Sequence, residues 1–187
     1  MKPAAILLAG GASTRMGQPK ALLPIDGQTF LGRLIAIYRN CCDPVIVVLG
    51  HQAALIRQEA KADGVSWAVN ELPERGQFSS LQTGLRAVPP ATDCLFQPID
   101  YPAVAADTVQ ALARTPGHLV IPRYNGERGH PVRLSPEIIA ELLRLPATAQ
   151  ARDVIRAHYP AATFLDLPDP GIVTDIDTPE DFARWIA

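Results

Sequence analysis

An apolar run at residues 4–9 ends abruptly in Gly10-Gly11-Ala12-Ser13-Thr14-Arg15-Met16-Gly17-Gln18-Pro19-Lys20. A short apolar strand that opens into a glycine-rich loop belongs in a parallel α/β sheet, where ligands bind at the carboxyl ends of the strands. Three glycines let backbone N–H groups converge on anionic oxygens with no Cβ in the way, and Arg15 and Lys20 add charge that backbone dipoles supply only in part. These residues point to a polyphosphate, for which a nucleoside triphosphate is the natural guest. Two other phosphate loops are excluded. A P-loop needs Gly-Lys-Ser/Thr opening a helix, but Gly17 is followed by Gln18-Pro19-Lys20, and the proline breaks that geometry. A dinucleotide loop, Gly-x-Gly-x-x-Gly, has no place for bulky cations in its middle.

The remaining pattern alternates strand and helix. Short aliphatic runs at 4–9, 45–49, 65–69, 94–99 and 119–121 read as strands buried on both faces. Between them, apolar residues recur at three and four residues, as in Phe30-Leu31-x-x-Leu34-Ile35-x-x-Tyr38, which predicts helices and hence a parallel three-layer sheet. Asn125-Gly126 predicts a β-hairpin returning through 130–134, and Ser135-Pro136 opens a helix to about residue 145. A helix at 152–158, strands at 163–165 and 172–174, and a helix at 179–185 complete the expected order.

With 187 residues, 48% of them hydrophobic, the chain is expected to form a single domain, 1–187. The net charge is −2 and there is no basic block, so neither nucleic acid nor membrane is an expected partner. The first apolar run is far too short to span a bilayer and lacks a signal-peptide pattern, so a cytoplasmic location is expected. Cys41, Cys42 and Cys94 have no zinc-ligand spacing and are expected to be buried or inert thiols.

Residues 7–20 resemble the signature Leu-Ala-Gly-Gly-x-Ser-x-Arg-Met-Gly-x-x-Lys of the nucleotidyltransferases that include the molybdenum cofactor cytidylyl- and guanylyltransferases. The resemblance extends through Asn70-Glu71-Leu72-Pro73 and Ser80-Leu81-x-x-Gly84-Leu85, Asp100 before Pro102, Gly129-His130-Pro131, and Asp175-Ile176-Asp177-Thr178-Pro179-Glu180-Asp181. Of the family's acceptor-side Gly-Asp-x-Gly-Ala-Arg, only Ala151-Arg152 is present.

The resemblance implies a three-layer α/β/α Rossmann-like nucleotidyltransferase fold, with a mostly parallel sheet and a β-hairpin on the acceptor side. It implies nucleotide binding by Leu8, Ala9, Gly10, Gly11, Ser13, Gly17, Asn70, Ser79, Ser80 and Leu81, and catalysis by Arg15 and Lys20. Asp100 and Asp177 would hold Mg²⁺, and His130 would meet the acceptor. Of Asp175 and Asp177, only one is expected to see the metal directly. His51 reads as a helix-start residue.

The implied reaction moves a nucleoside monophosphate from CTP to a phosphorylated acceptor, molybdopterin, and releases pyrophosphate; a molybdoenzyme or its maturation chaperone would be the downstream partner. A GTP-using relative and a sugar-phosphate nucleotidyltransferase remain as enzyme alternatives. A non-enzymatic nucleotide-binding regulator or cofactor-insertion chaperone is the third, and it would have no need of both carboxylates.

Overall fold

The computed structural model describes residues 2–60 and 62–186. In chain order it contains β1 (Ala4–Ala9), a small hairpin of β2 (Pro24–Ile25) and β3 (Gln28–Thr29), α1 (Phe30–Arg39), β4 (Val45–Leu49), α2 (Ala53–Ala60), β5 (Ser66–Val69), α3 (Gln77–Arg86) and β6 (Cys94–Pro98). There follow α4 (Ala106–Arg114), β7 (Leu119–Tyr124), β8 (Glu127–Arg128), β9 (Val132–Leu134), α5 (Pro136–Arg144), α6 (Ala151–Ala157), β10 (Thr163–Asp166) and α7 (Pro179–Ile186). Eight described strands form the main sheet in the order β10-β7-β9-β6-β1-β4-β5, with β8 paired to β7. Pairing is parallel from β6 through β5 and between β10 and β7; β8 and β9 run antiparallel to their neighbours.

Strand periodicity sorts the core into two layers. Ala5, Leu7, Val45, Val47 and Leu49 face α1, α2 and α4, whereas Ala4, Ile6, Leu8, Ile46 and Val48 face α3, α5 and α6. This is the expected three-layer fold. Each fully buried aliphatic side chain contributes about 1.5–3 kcal/mol relative to exposure. Gly84 lets α3 come close to the sheet, because a Cβ there would lie 2.6 Å from Ile6 Cγ2 and 2.9 Å from Val48 Cγ2.

Helix α1 starts where Thr29 Oγ1 accepts a hydrogen bond from Gly32 N (3.0 Å), and it buries Phe30, Leu31, Leu34, Ile35 and Tyr38 along one stripe. Phe182 and Trp185 of α7 meet Phe30 edge-on, with centroids 5.9 and 5.7 Å apart, which docks the end of the chain beside its beginning. A reciprocal cap fixes the entry to α7: Asp181 Oδ2 accepts from Thr178 N (3.0 Å) and Thr178 Oγ1 accepts from Asp181 N (3.2 Å).

The structure corrects several sequence expectations. Asn125 and Gly126 do form a tight turn with φ of 50° and 84°, but its return strand is the two-residue β8; β9 begins only at Val132, after a cis His130–Pro131 bond, and pairs with both β7 and β6. No strand forms at 172–174. There Asp169 Oδ1 accepts from Gly171 N (2.9 Å) and bends the chain into a 3₁₀ turn, while Asp169 Oδ2 caps α4 by accepting from Ala105 N (2.9 Å) and Thr108 Oγ1 (2.6 Å). Cys42 and Cys94 are buried, but Cys41 is half-buried and its thiol is lowered to about 7, chiefly by the hydrogen bond with Cys42. No described helix is long and apolar enough to cross a membrane.

Candidate active site

The loop after β1 forms one wall of a cleft of about 360 Å³ at the carboxyl ends of the parallel strands. Gly10 can run beside the next strand end because Gly50 lacks a side chain: a Cβ on Gly50 would sit 2.7 Å from Gly10 O. Ser13 and Gly17 turn the loop with positive φ, at 50° and 68°. Ser13 Oγ then accepts from Lys20 N at 3.1 Å, closing the loop on itself.

That closure carries Lys20 under the loop, where it is buried and its ammonium pairs with Asp177 Oδ1. Arg15, 66% exposed, reaches the other oxygen of Asp177 at 2.5 Å. Together they hold the Asp177 carboxyl below its ordinary range, with the Lys20 hydrogen bond the largest cause. Asp175 is exposed, belongs to no strand and does not line the cleft; Asp177 is the one that does.

Asp100, in the turn after β6, lies on the same cleft. Its Oδ1 is buried without a hydrogen-bond partner, and burial pushes its carboxyl upward, with Asp177 and Asp175 adding to the rise and Lys20 opposing it. An orphaned carboxylate oxygen beside a second carboxylate is an environment that a divalent cation relieves. Among the described residues there is no cluster of three or more metal-ligating side chains. Two carboxylates completed by substrate phosphates suit a Mg²⁺-type ion, which keeps several non-protein ligands.

Of the residues singled out in the sequence, Leu8, Ala9, Gly10, Gly11, Ser13, Arg15, Lys20, Ser80, Asp100 and Asp177 come together on this cleft. Gly17, Asn70, Ser79, Leu81 and His130 do not line it. Asn70 Nδ2 donates to Ser79 Oγ (2.8 Å) and Ser80 Oγ (3.0 Å), and its Oδ1 accepts from Leu72 N (3.0 Å), so it clamps the approach to α3 from behind. His130 packs against Tyr101 and Phe96, with centroids 4.9 and 5.5 Å away; burial lowers it to about 4, and its Nδ1 has no partner. His51, Pro73, Gly76 and Gln77 line the cleft although sequence reasoning gave them no ligand role. For His51 the available signal was its position directly after a parallel strand and Gly50.

A second cavity of about 410 Å³ shares Leu8, Gly76 and Gln77 with the cleft. Its walls include Phe78, Leu81 and Phe96, and two arginines, Arg75 and Arg152, stand at it.

Residues 5–162 match the MobA-like NTP transferase domain. The chain belongs to this family. It is a nucleotidyltransferase, and enzymes of this kind work with a divalent metal. The transferase is 28% identical to the molybdenum cofactor cytidylyltransferase of Escherichia coli strain K12, over 95% of this chain and 92% of that one. It is 27% identical to the molybdenum cofactor guanylyltransferase of Rhizobium meliloti strain 1021, over 97% and 89%. The crystal structure of Rv0371c from Mycobacterium tuberculosis H37Rv superposes with a TM-score of 0.88 at 29% identity, covering 98% of this chain and 96% of that one; that protein has also been solved in complex with manganese.

Proposed function

We propose that the transferase, acting as one domain over residues 1–187, moves CMP from Mg²⁺-bound CTP to a phosphorylated pterin acceptor, molybdopterin, in molybdenum cofactor maturation. The observation that carries the reading is the orphaned Asp100 Oδ1, placed in one cleft with the glycine loop, Lys20 and Asp177. The cytidylyl- and guanylyltransferase relatives supply the acceptor class, and the second cavity supports it: an apolar wall suits a planar ring, and Arg75 and Arg152 suit its phosphate.

An acceptor phosphate oxygen attacks the α-phosphorus in line, the bond from that phosphorus to the α,β-bridging oxygen breaks, and pyrophosphate leaves. A divalent ion, when bound, shields the phosphates and stabilises their developing charge. Asp100 and Asp177 would hold it. The Gly10–Ser13 backbone cradles the phosphates, and Lys20 and Arg15 balance charge moving onto the leaving group, so no covalent nucleophile is needed. Both cations rest on Asp177 in the structure, so bound phosphates would draw Lys20 and Arg15 away and leave the Asp177 carboxylate free to hold the ion. His130, neutral at physiological pH, contributes packing behind the acceptor side rather than charge.

Pyrophosphate release with each of four triphosphates, against molybdopterin and a panel of sugar phosphates, tests the reading. CTP with molybdopterin is the expected pair, favoured over GTP by more than about 10-fold in kcat/KM, which needs only ~1.4 kcal/mol of differential binding. Preference for GTP would reassign the base and leave nucleotidyl transfer standing. Transfer to sugar phosphates alone would reassign the acceptor.

A further inference from the structure

Strand β6 contains a glutamine, Gln97, with no solvent exposure at all. A buried primary amide is costly unless its donors and acceptor find partners. Gln97 Oε1 accepts from the hydroxyl of Tyr38, itself fully buried on α1, at 2.5 Å, and Gln97 Nε2 donates to Tyr101 O at 2.6 Å. The second bond spans the turn that holds Asp100.

The neighbouring carbonyls are tied in the same way. Asp100 O accepts from Ile176 N (2.7 Å), and Pro102 O accepts from Arg33 Nε of α1 (3.0 Å). Three successive carbonyls, at 100, 101 and 102, therefore end on three donors: the segment before α7, a β6 side chain braced by α1, and α1 directly. The carbonyls of this turn are satisfied while the carboxylate it carries keeps a buried oxygen without a partner. Such a carboxylate would lower its energy by turning towards any donor or towards water, unless the main chain beneath it cannot move.

We infer that Gln97, braced by Tyr38, is a positioning residue that holds the Asp100 turn so that its carboxylate stays presented to a divalent cation in the donor cleft. The inference rests on the reading of Asp100 as a metal ligand. Removing the amide frees Tyr101 O and Tyr38 Oη in the core, and the turn gains freedom to withdraw Asp100 from the cleft.

Direct Mn²⁺ binding, followed by the electron paramagnetic resonance signal of the free ion, tests it on the intact chain without turnover. Asp100→Asn should weaken Mn²⁺ binding at least 10-fold. Gln97→Met, close in volume but without the amide, should weaken it at least five-fold while metal-free triphosphate affinity stays within two-fold; Tyr38→Phe should give a smaller shift in the same direction. Should Gln97→Met fail to fold by circular dichroism, Tyr38→Phe and Arg33→Ala decide, and wild-type Mn²⁺ affinity in both overturns the inference. Asp100→Asn weakened with Gln97→Met folded and unchanged overturns the positioning role alone. Wild-type affinity in Asp100→Asn, or no Mn²⁺ binding by the wild-type chain, overturns the metal reading and the positioning role with it.

Discussion

The donor cleft and the cavity beside it share three residues but are built on different principles. The cleft is made of loops that follow parallel strands, with charges concentrated on a few side chains: Lys20, Arg15, Asp100 and Asp177. The second cavity is assembled from the approach to α3, the middle of β6 and the start of α6, and its arginines stand at exposed positions on an apolar wall. A site whose energy resides in a few converging charges, Lys20 buried among them, fails when one atom is changed. A site built from apolar area and exposed cations should fail gradually.

Asp100→Asn is the sharpest test of that contrast. It should cut turnover by about 10³-fold or more, the several kcal/mol that a misplaced catalytic metal costs, with little loss of thermal stability because the orphaned oxygen makes no hydrogen bond to lose. Near-normal rates with added Mg²⁺ would remove Asp100 from the metal site.

His130 packs against Phe96 of the second cavity and against Tyr101 beside Asp100, so it joins the two regions. Its folded pKa of about 4 lies below the ordinary 6.5. Between those values the unfolded chain binds a proton that the folded chain refuses, so stability is fully present above pH 6.5 and is lost as pH falls through 6.5 towards 4, by up to about 3 kcal/mol. Urea unfolding at a series of pH values should show this slope, and His130→Gln should flatten it. An unchanged slope would mean that the ring takes up its proton without strain.

Lys20→Ala should lower kcat by about 10²-fold, and Arg15→Ala by about 10-fold, because Lys20 is buried and Arg15 is two-thirds exposed. Steady-state kinetics that place either loss in the triphosphate KM alone would assign that residue to ground-state binding. The smallest effects belong to the second cavity. Arg75→Ala and Arg152→Ala should each raise the acceptor KM about five-fold and leave the triphosphate KM unchanged. A change in the triphosphate KM instead would join the two cavities into one nucleotide site.

The residues that gather on the cleft were legible because they stand directly after apolar strands, as Gly10 to Lys20 follow β1 and Asp100 follows β6. Asn70 and Ser79 look alike in sequence to Ser80, yet only Ser80 reaches the cleft. Which side of the helix start faces a ligand depends on how α3 lies on the sheet, and Gly84 sets that lie from a full turn away. Gln97 was invisible for a related reason. One amide inside an apolar strand carries no periodic signal, and its partners, Tyr38 and Tyr101, lie 59 residues before it and four after it. The missing strand at 172–174 followed from reading its apolar residues without the Asp169 cap that bends them away. Of the second cavity the sequence showed only pieces, Leu8, Leu81 and Ala151-Arg152, since its walls meet only after the sheet and α6 are in place.

The pairing of Lys20 with Asp177 spans 157 residues. During synthesis at about 5–20 residues per second, the glycine loop is made roughly eight to thirty seconds before its carboxylate partner. A nascent chain can thus order its first strands and glycine loop while its donor site still lacks a carboxylate and one wall. On the proposed reading, nucleotide offered to such a chain would meet a phosphate loop without the means to complete transfer, and chemical competence would wait for the docking of α7.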